Sequence, residues 1–276
     1  MILAAVAVDL LSGARNRLLG CGRQARALWS DWAHLGLLGA QIIVLALTPS
    51  SYRNGRPRQT ILRHIYLAMA PLLTWFLVLS TLVSLVLIRI VVATAVSYGL
   101  SQYALEVLVR TLLLELIPLY AAVFVALRYS MPAAHTLREE LTKRQESGGL
   151  LGSEQQLLQS ELLPRALASA LSVPLLVAIS CLVALVLSYL TVHGLSPWGL
   201  PAYTRSVGQV FSPAVTLIFA LKTLFFSLAV AIVPIAASAR RDADGHYRRG
   251  SDLAEFSRLF AVLLLIEIVS LLGNYY

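Results

Sequence analysis

Charged residues are scarce in this chain. Asp, Glu, Lys and Arg make up only 13% of its 276 residues, and hydrophobic residues make up 58%. A soluble domain carries about 25% charged residues, so this chain could not cover its own surface in water. The composition excludes a soluble enzyme, a disulfide-rich secreted domain and a disordered tail. The net charge of +8 does not indicate nucleic-acid binding, because most basic residues flank apolar blocks.

Cysteines and catalytic motifs are scarce as well. Two cysteines, Cys21 and Cys181, are too few for a disulfide framework, and we expect free thiols. The sequence has no His-Glu-x-x-His motif, and neither Lys143 nor Lys222 follows a glycine, as the lysine of a phosphate-binding loop would. We therefore expect no metal site, no cofactor and no ATP hydrolysis in this chain. An intramembrane enzyme would need a nucleophile or metal site that the sequence does not show.

The chain does contain long apolar blocks. A helix needs about 20 mostly apolar residues to cross a bilayer, and five blocks meet that length. The sequence therefore predicts an all-α, polytopic membrane protein with five transmembrane helices. The predicted spans are residues 66–96, 104–127, 166–192, 207–239 and 258–275.

The distribution of Lys and Arg predicts the orientation. Along the chain, the stretches that flank the predicted spans hold 8, 0, 5, 1, 5 and 0 basic residues, where Arg258 at the start of the last span is counted with the stretch before it. Cytoplasmic segments carry the excess of Lys and Arg, so the N-terminus is predicted inside and the C-terminus outside.

Residues 1–65 are predicted to be a cytoplasmic N-terminal segment, and residues 66–276 the five-span domain. Within the first segment, residues 27–47 are predicted to form an amphipathic helix in the membrane interface, anchored by Trp29 and Trp32. The apolar part is too short to cross a bilayer, and crossing there would invert the basic pattern. A sixth, short span is the alternative.

Between spans two and three, residues 153–163 have a helical pattern. Ser153 is a suitable N-cap, and Leu157, Leu158 and Leu162 fall on one face. This helix either rests on the membrane surface or docks a cytoplasmic partner.

Four charged residues lie away from the ends of the predicted second, fourth and fifth spans. They are Arg110, Glu115, Lys222 and Glu267. A charge in a membrane is costly and should face a cavity or a partner. The two acids and two bases are predicted to form one intramembrane network, which either fixes the packing of spans two, four and five or lines a substrate path.

The second span resembles the MlaE-type permease family, the membrane subunits of bacterial ABC systems that move phospholipids between membranes. The family has Glu-Leu-Gly-Pro where this chain has Glu115-Leu-Ile-Pro118, and an arginine at the position of Arg128. Lys222 with Phe226 is similar to the family's intramembrane lysine motif. The last-span acid Glu267 and the tyrosine Tyr98 also fit the family pattern.

The resemblance implies a function and a set of partners. It implies a homodimeric permease in the bacterial inner membrane, with ATP bound by a separate cytoplasmic ABC ATPase. A periplasmic MCE lipid-binding protein would lie above it, and the cargo would be phospholipid. Arg128 and the helix carrying Leu157, Leu158 and Leu162 would couple to the ATPase. Leu87, Val91, Thr94, Ala95 and Tyr98 would contact acyl chains, with plain packing as the alternative.

The chain departs from the family in several places. The first span lacks the family's glycines and contains Arg89. The coupling stretch carries Gly148-Gly149 where the family has Asp-Pro. These departures leave a second hypothesis open, a non-transporting membrane scaffold that retains the permease fold.

Overall fold

The computed structural model describes residues 55–100, 103–146, 162–238 and 252–275, together with Ala40 and Val44. Every regular element in these residues is a helix. The α-helices are α1 (Gly55–Ser97), α2 (Ala104–Leu108), α3 (Ile117–Val125), α4 (Met131–Glu146), α5 (Leu163–His193), α6 (Leu200–Val210), α7 (Pro213–Ser238) and α8 (Asp252–Tyr275). Two π-helical stretches, Val109–Leu116 and Ala126–Ser130, join α2, α3 and α4 into one continuous rod.

Five helical segments are long and apolar enough to cross a membrane, which confirms the predicted number of spans. They are Leu73–Ser97, Ala104–Lys143, Leu163–His193, Pro213–Ser238 and Leu253–Gly273. The direction in which they cross and the domain boundary at residue 65 stay predictions.

Helix bounds differ from the prediction at three points. Helix α1 begins at Gly55, eleven residues before the predicted start, and α4 carries the second rod on to Glu146. The predicted fourth span is divided, because α6 ends at Val210 and α7 begins at Pro213. Proline has no backbone N–H and disfavours helical geometry in the residue before it, so it starts a new helix here.

Two sequence predictions fall largely outside the described residues. In the predicted interfacial helix at residues 27–47, only Ala40 and Val44 are described, and both are helical. The predicted coupling helix is described only from Leu162 onward, so Leu157 and Leu158 lie outside.

Helix α1 packs along α5, α5 along α7, and α7 along α8. The buried stripe of α1 repeats every four residues: Phe76, Ser80, Ser84 and Ile88 are all 0% exposed. The two serines let neighbouring helices approach closely, as small residues do between membrane helices. Ser80 also shares a 2.6 Å hydrogen bond with the hydroxyl of Tyr120 in α3.

The connection after α5 is closed by glycine and aromatic contacts. Gly194 ends α5 with a φ of 65°, a conformation that glycine adopts at little cost. The ring of His193 stacks on Tyr189 and meets Tyr203 of α6 edge-on. A Cβ at Gly199 would lie 2.4 Å from the His193 ring, so glycine is required there. Burial raises the pKa of Tyr203, against a smaller lowering by its hydrogen bond with Ser188.

Candidate functional site

The centre of the site is Lys222, a buried cation on α7. Its side chain is only 1% exposed. The ammonium donates a hydrogen bond to Glu115 of the second span, and it lies 2.8 Å from Oε2 of Glu267 in the fifth. A buried charge in an apolar helix bundle must be paired, and here two helices each supply one carboxylate. The structure thus brings together three of the four residues predicted to form the intramembrane network.

The backbone beside Glu115 is part of the same arrangement. Pro118 has no N–H, so it cannot bond the carbonyl of Leu114 as a residue four positions later in an α-helix would. Lys222 Nζ donates to that carbonyl oxygen at 3.1 Å. Neighbouring side chains commonly satisfy carbonyls that a proline frees in membrane helices. Glu115 itself lies in the π-helical stretch Val109–Leu116, and such stretches are frequent at functional sites.

A small cleft with room for about one water molecule adjoins Lys222. Its three polar lining residues are Glu115, Lys222 and Ser270, the last of which belongs to α8. The apolar walls are Leu114, Val215, Ile218 and Phe219. The ring of Phe226 lies 5.9 Å from the ammonium, within range of a cation–π contact. The site is therefore a small polar cleft with apolar walls between the second, fourth and fifth spans.

The partner of Arg110 differs from the predicted one. It pairs at 3.2 Å with Glu106, one helical turn earlier, and both side chains are more than one-third exposed. Arg110 therefore has a partner of its own in the second span, whereas Glu115 pairs with Lys222. The network around Lys222 consequently has two carboxylates and one ammonium instead of the expected neutral set.

The residues predicted to contact acyl chains all lie on α1, but in two environments. Leu87 and Val91 are half-buried and pack against the main hydrophobic core of the same chain. Ala95 is also half-buried. Thr94 is exposed, and Tyr98 is 77% exposed. Their role in binding lipid stays a prediction.

The residues predicted to couple to an ATPase are also divided. Arg128 is exposed, in the π-helical stretch Ala126–Ser130. Leu162 is 4% exposed. It packs in a second hydrophobic cluster, formed by the end of the α4 rod, the start of α5 and the end of α7. Besides Leu162, the cluster contains Leu137, Leu141, Leu163, Ala166, Ala231 and Ile235.

Two further ion pairs were not predicted from the sequence. Arg138 of α4 pairs with Glu255 of α8, and both side chains are no more than 10% exposed. Arg165 of α5 pairs with Glu140 of α4 at 2.8 Å, with Glu140 46% exposed. Sequence spacing gives no signal for the first pair, because its members lie 117 residues apart. Together the pairs connect the extension of the second rod to the third and fifth spans.

Comparison with known proteins bears on this arrangement. The family described as Permease MlaE matches the chain over residues 61–244, well over half of its length. The matched region contains Glu115, Arg128 and Lys222, while Glu267 lies beyond it. No curated protein matches the chain.

Proposed function

Since the chain belongs to the MlaE permease family, we propose that it is the membrane subunit of an ABC-type transport system for phospholipid. The membership makes it a multi-pass membrane protein and a transporter subunit. The proposal adds a homodimer in the bacterial inner membrane, a separate cytoplasmic ATPase and a periplasmic MCE-domain protein.

The observation that carries the proposal is the shared ion pairing of Lys222. One ammonium holds carboxylates from two other spans beside a small cleft. Movement of α7 relative to either neighbour must break a buried charge contact, so the three helices are coupled. A permease driven by an external ATPase requires such coupling between its helices. In the proposed mechanism, closure of the ATPase dimer presses the two permease copies together and transfers a lipid held between them.

The experiment is reconstitution. The chain would be co-expressed with an ABC ATPase and an MCE-domain protein from the same organism. The purified complex would be placed in proteoliposomes that contain a fluorescent phospholipid. The proposal expects ATP-dependent transfer of that lipid between the membrane and the MCE protein. An ATPase variant that binds but cannot hydrolyse ATP is the matched control.

The second candidate is a scaffold that retains the permease fold without transporting. It is favoured by the Gly148-Gly149 stretch, which replaces the family's Asp-Pro in the coupling region. It predicts that no ATPase copurifies with the unmodified chain. A stable complex with an ATPase would contradict the scaffold proposal, and failure of that complex to transfer lipid would contradict the transport proposal.

A further inference from the structure

Arg89 is an exposed cation within the first span. It lies eight residues before the end of the Leu73–Ser97 segment, or about 12 Å along the helix axis. Its neighbours on the exposed face of α1 are large apolar side chains: Leu82 (59% exposed), Leu85 (43%), Val86 (53%) and Val96 (61%). In the described residues, no hydrogen bond or ion pair involves Arg89.

The chain has no acidic side chain in the loops at this end of the bundle. Because successive spans alternate in direction, residues 98–103 and 194–212 lie at the same end as Ser97. Neither stretch contains Asp or Glu. The nearest acid in the sequence of the second span, Glu106, pairs with Arg110. Among the described residues, no acidic side chain is therefore placed to pair with Arg89, which favours an anion from outside the chain.

The side chains around Arg89 indicate which kind of anion would bind it. An unpaired guanidinium facing hydrocarbon is costly, and a long side chain relieves the cost by reaching the headgroup region. There the planar guanidinium fork matches a phosphate group with two parallel hydrogen bonds. The apolar side chains around Arg89 offer a surface for acyl chains. A ligand with a phosphate at the headgroup level and acyl chains along the helix is a phospholipid.

We propose that Arg89 binds the phosphate of a bilayer phospholipid, whose acyl chains lie against the exposed face formed by Leu82, Leu85 and Val86. This site goes beyond the proposed function. It lies on the outward side of α1, whereas Leu87 and Val91 pack into the core of the same chain. Binding there requires neither an ATPase nor transport.

The test measures lipid binding to the purified full chain by native mass spectrometry. The probes are phosphatidylglycerol, phosphatidylethanolamine and the phosphate-free diacylglycerol with the same acyl chains. Arg89→Leu should weaken binding of both phospholipids about tenfold, the loss expected for one charge-assisted hydrogen-bonded contact. Binding of diacylglycerol should not change. Phospholipid binding by Arg89→Lys should be intermediate between that of the unmodified chain and that of Arg89→Leu, because lysine keeps the charge but not the planar fork.

The control is Arg205→Gln, which removes an exposed cation at the same end of the bundle but outside the spans. It should leave the phospholipid preference intact. Arg89→Leu replaces a charge with an apolar residue in an apolar span, so it should insert at least as readily as the unmodified chain.

Three results would overturn the inference. The first is unchanged phospholipid binding by Arg89→Leu. The second is an equal loss for diacylglycerol, which would mean that phosphate is not recognised. The third is a lower dimer fraction with unchanged lipid binding, which would assign Arg89 to a contact with a second copy. Failure of lipid transfer in the reconstituted complex bears on the proposed function and leaves this binding measurement unaffected.

Discussion

At the scale of single residues, Lys222 determines how charge is accommodated inside the bundle. Its ammonium contacts the carboxylates of Glu115 and Glu267 and donates a hydrogen bond to the carbonyl oxygen of Leu114. An ion pair buried in this way stabilises a structure little compared with an apolar replacement. Removing one partner is far more damaging, because the remaining charge stays buried without compensation.

The first prediction follows from that asymmetry. Lys222→Ala should destabilise the purified protein by about 3–5 kcal/mol, because Glu115 and Glu267 then lose their shared partner. A triple variant with Glu115→Gln, Lys222→Met and Glu267→Gln keeps the volume and removes all three charges, so it should be less damaging. Thermal unfolding in detergent, followed by size-exclusion chromatography, measures both.

The matched control is Arg110→Gln, which breaks an exposed pair with Glu106. Exposed pairs contribute roughly 0–1 kcal/mol, so this variant should unfold close to the unmodified protein. If the triple variant is as unstable as Lys222→Ala or more so, the three residues do not act as a structural network, and direct roles in transport become the better explanation.

At the scale of elements, the pair Arg138–Glu255 joins two helices that are distant in sequence. It ties α4, the extension of the second span, to the beginning of α8. The hydrophobic cluster around Leu137 packs the same extension against α5 and α7. The extension is therefore held from two sides and should move with the bundle as a rigid part of it.

The second prediction tests this connection. Arg138→Ala should destabilise the protein by about 3–5 kcal/mol, since it leaves Glu255 buried without its partner. Arg165→Ala breaks the other pair and leaves Glu140, whose side chain is 46% exposed and can be solvated by water. A smaller loss is therefore expected. The comparison is made by thermal unfolding under the same conditions. Equal losses from the two variants would mean that burial of Glu255 does not control the strength of its ion pair.

The sequence predicted the spans better than their contacts. Long runs of apolar residues indicate segments that cross a membrane, so all five spans were found. The break at Pro213 was missed, because no charged residue between Arg205 and Lys222 marks the start of the span. Glu115, Lys222 and Glu267 were grouped by their depth in the membrane. Depth does not specify the helix face, and Arg110, which was grouped with them, pairs with Glu106. Long-range pairs such as Arg138–Glu255 depend on tertiary packing that sequence spacing does not encode.

At the scale of the whole molecule, the orientation in the membrane can be tested directly. The basic residues predict that residue 274 is outside and residue 150 inside. With Cys21 and Cys181 replaced by serine and alanine, Asn274→Cys should react with a membrane-impermeant thiol reagent in intact spheroplasts. Leu150→Cys should react only after the membrane is opened. Labelling of residue 150 in intact spheroplasts, with residue 274 protected, would indicate the opposite topology.

The last prediction concerns how the molecule receives motion from an ATPase. Leu157 and Leu158 share a helix face in the sequence, and an apolar face of this kind can fill a groove in a partner. Leu162, from the same predicted face, is already buried within the chain. If the first two leucines dock the ATPase, replacing both with glutamate should abolish copurification of the ATPase. Insertion and dimerisation of the permease should persist, because no spanning segment is changed.

Leu162→Glu is the matched comparison, because it places the same charge among Leu137, Leu141 and Leu163. Burying an unpaired carboxylate there should destabilise the permease itself and lower its yield. The two variants thus separate loss of docking from loss of folding. If the Leu157→Glu, Leu158→Glu variant retains its ATPase and normal ATP turnover, these leucines rest on lipid or on neighbouring spans. The coupling surface then lies elsewhere, and the exposed Arg128 is the next residue to replace.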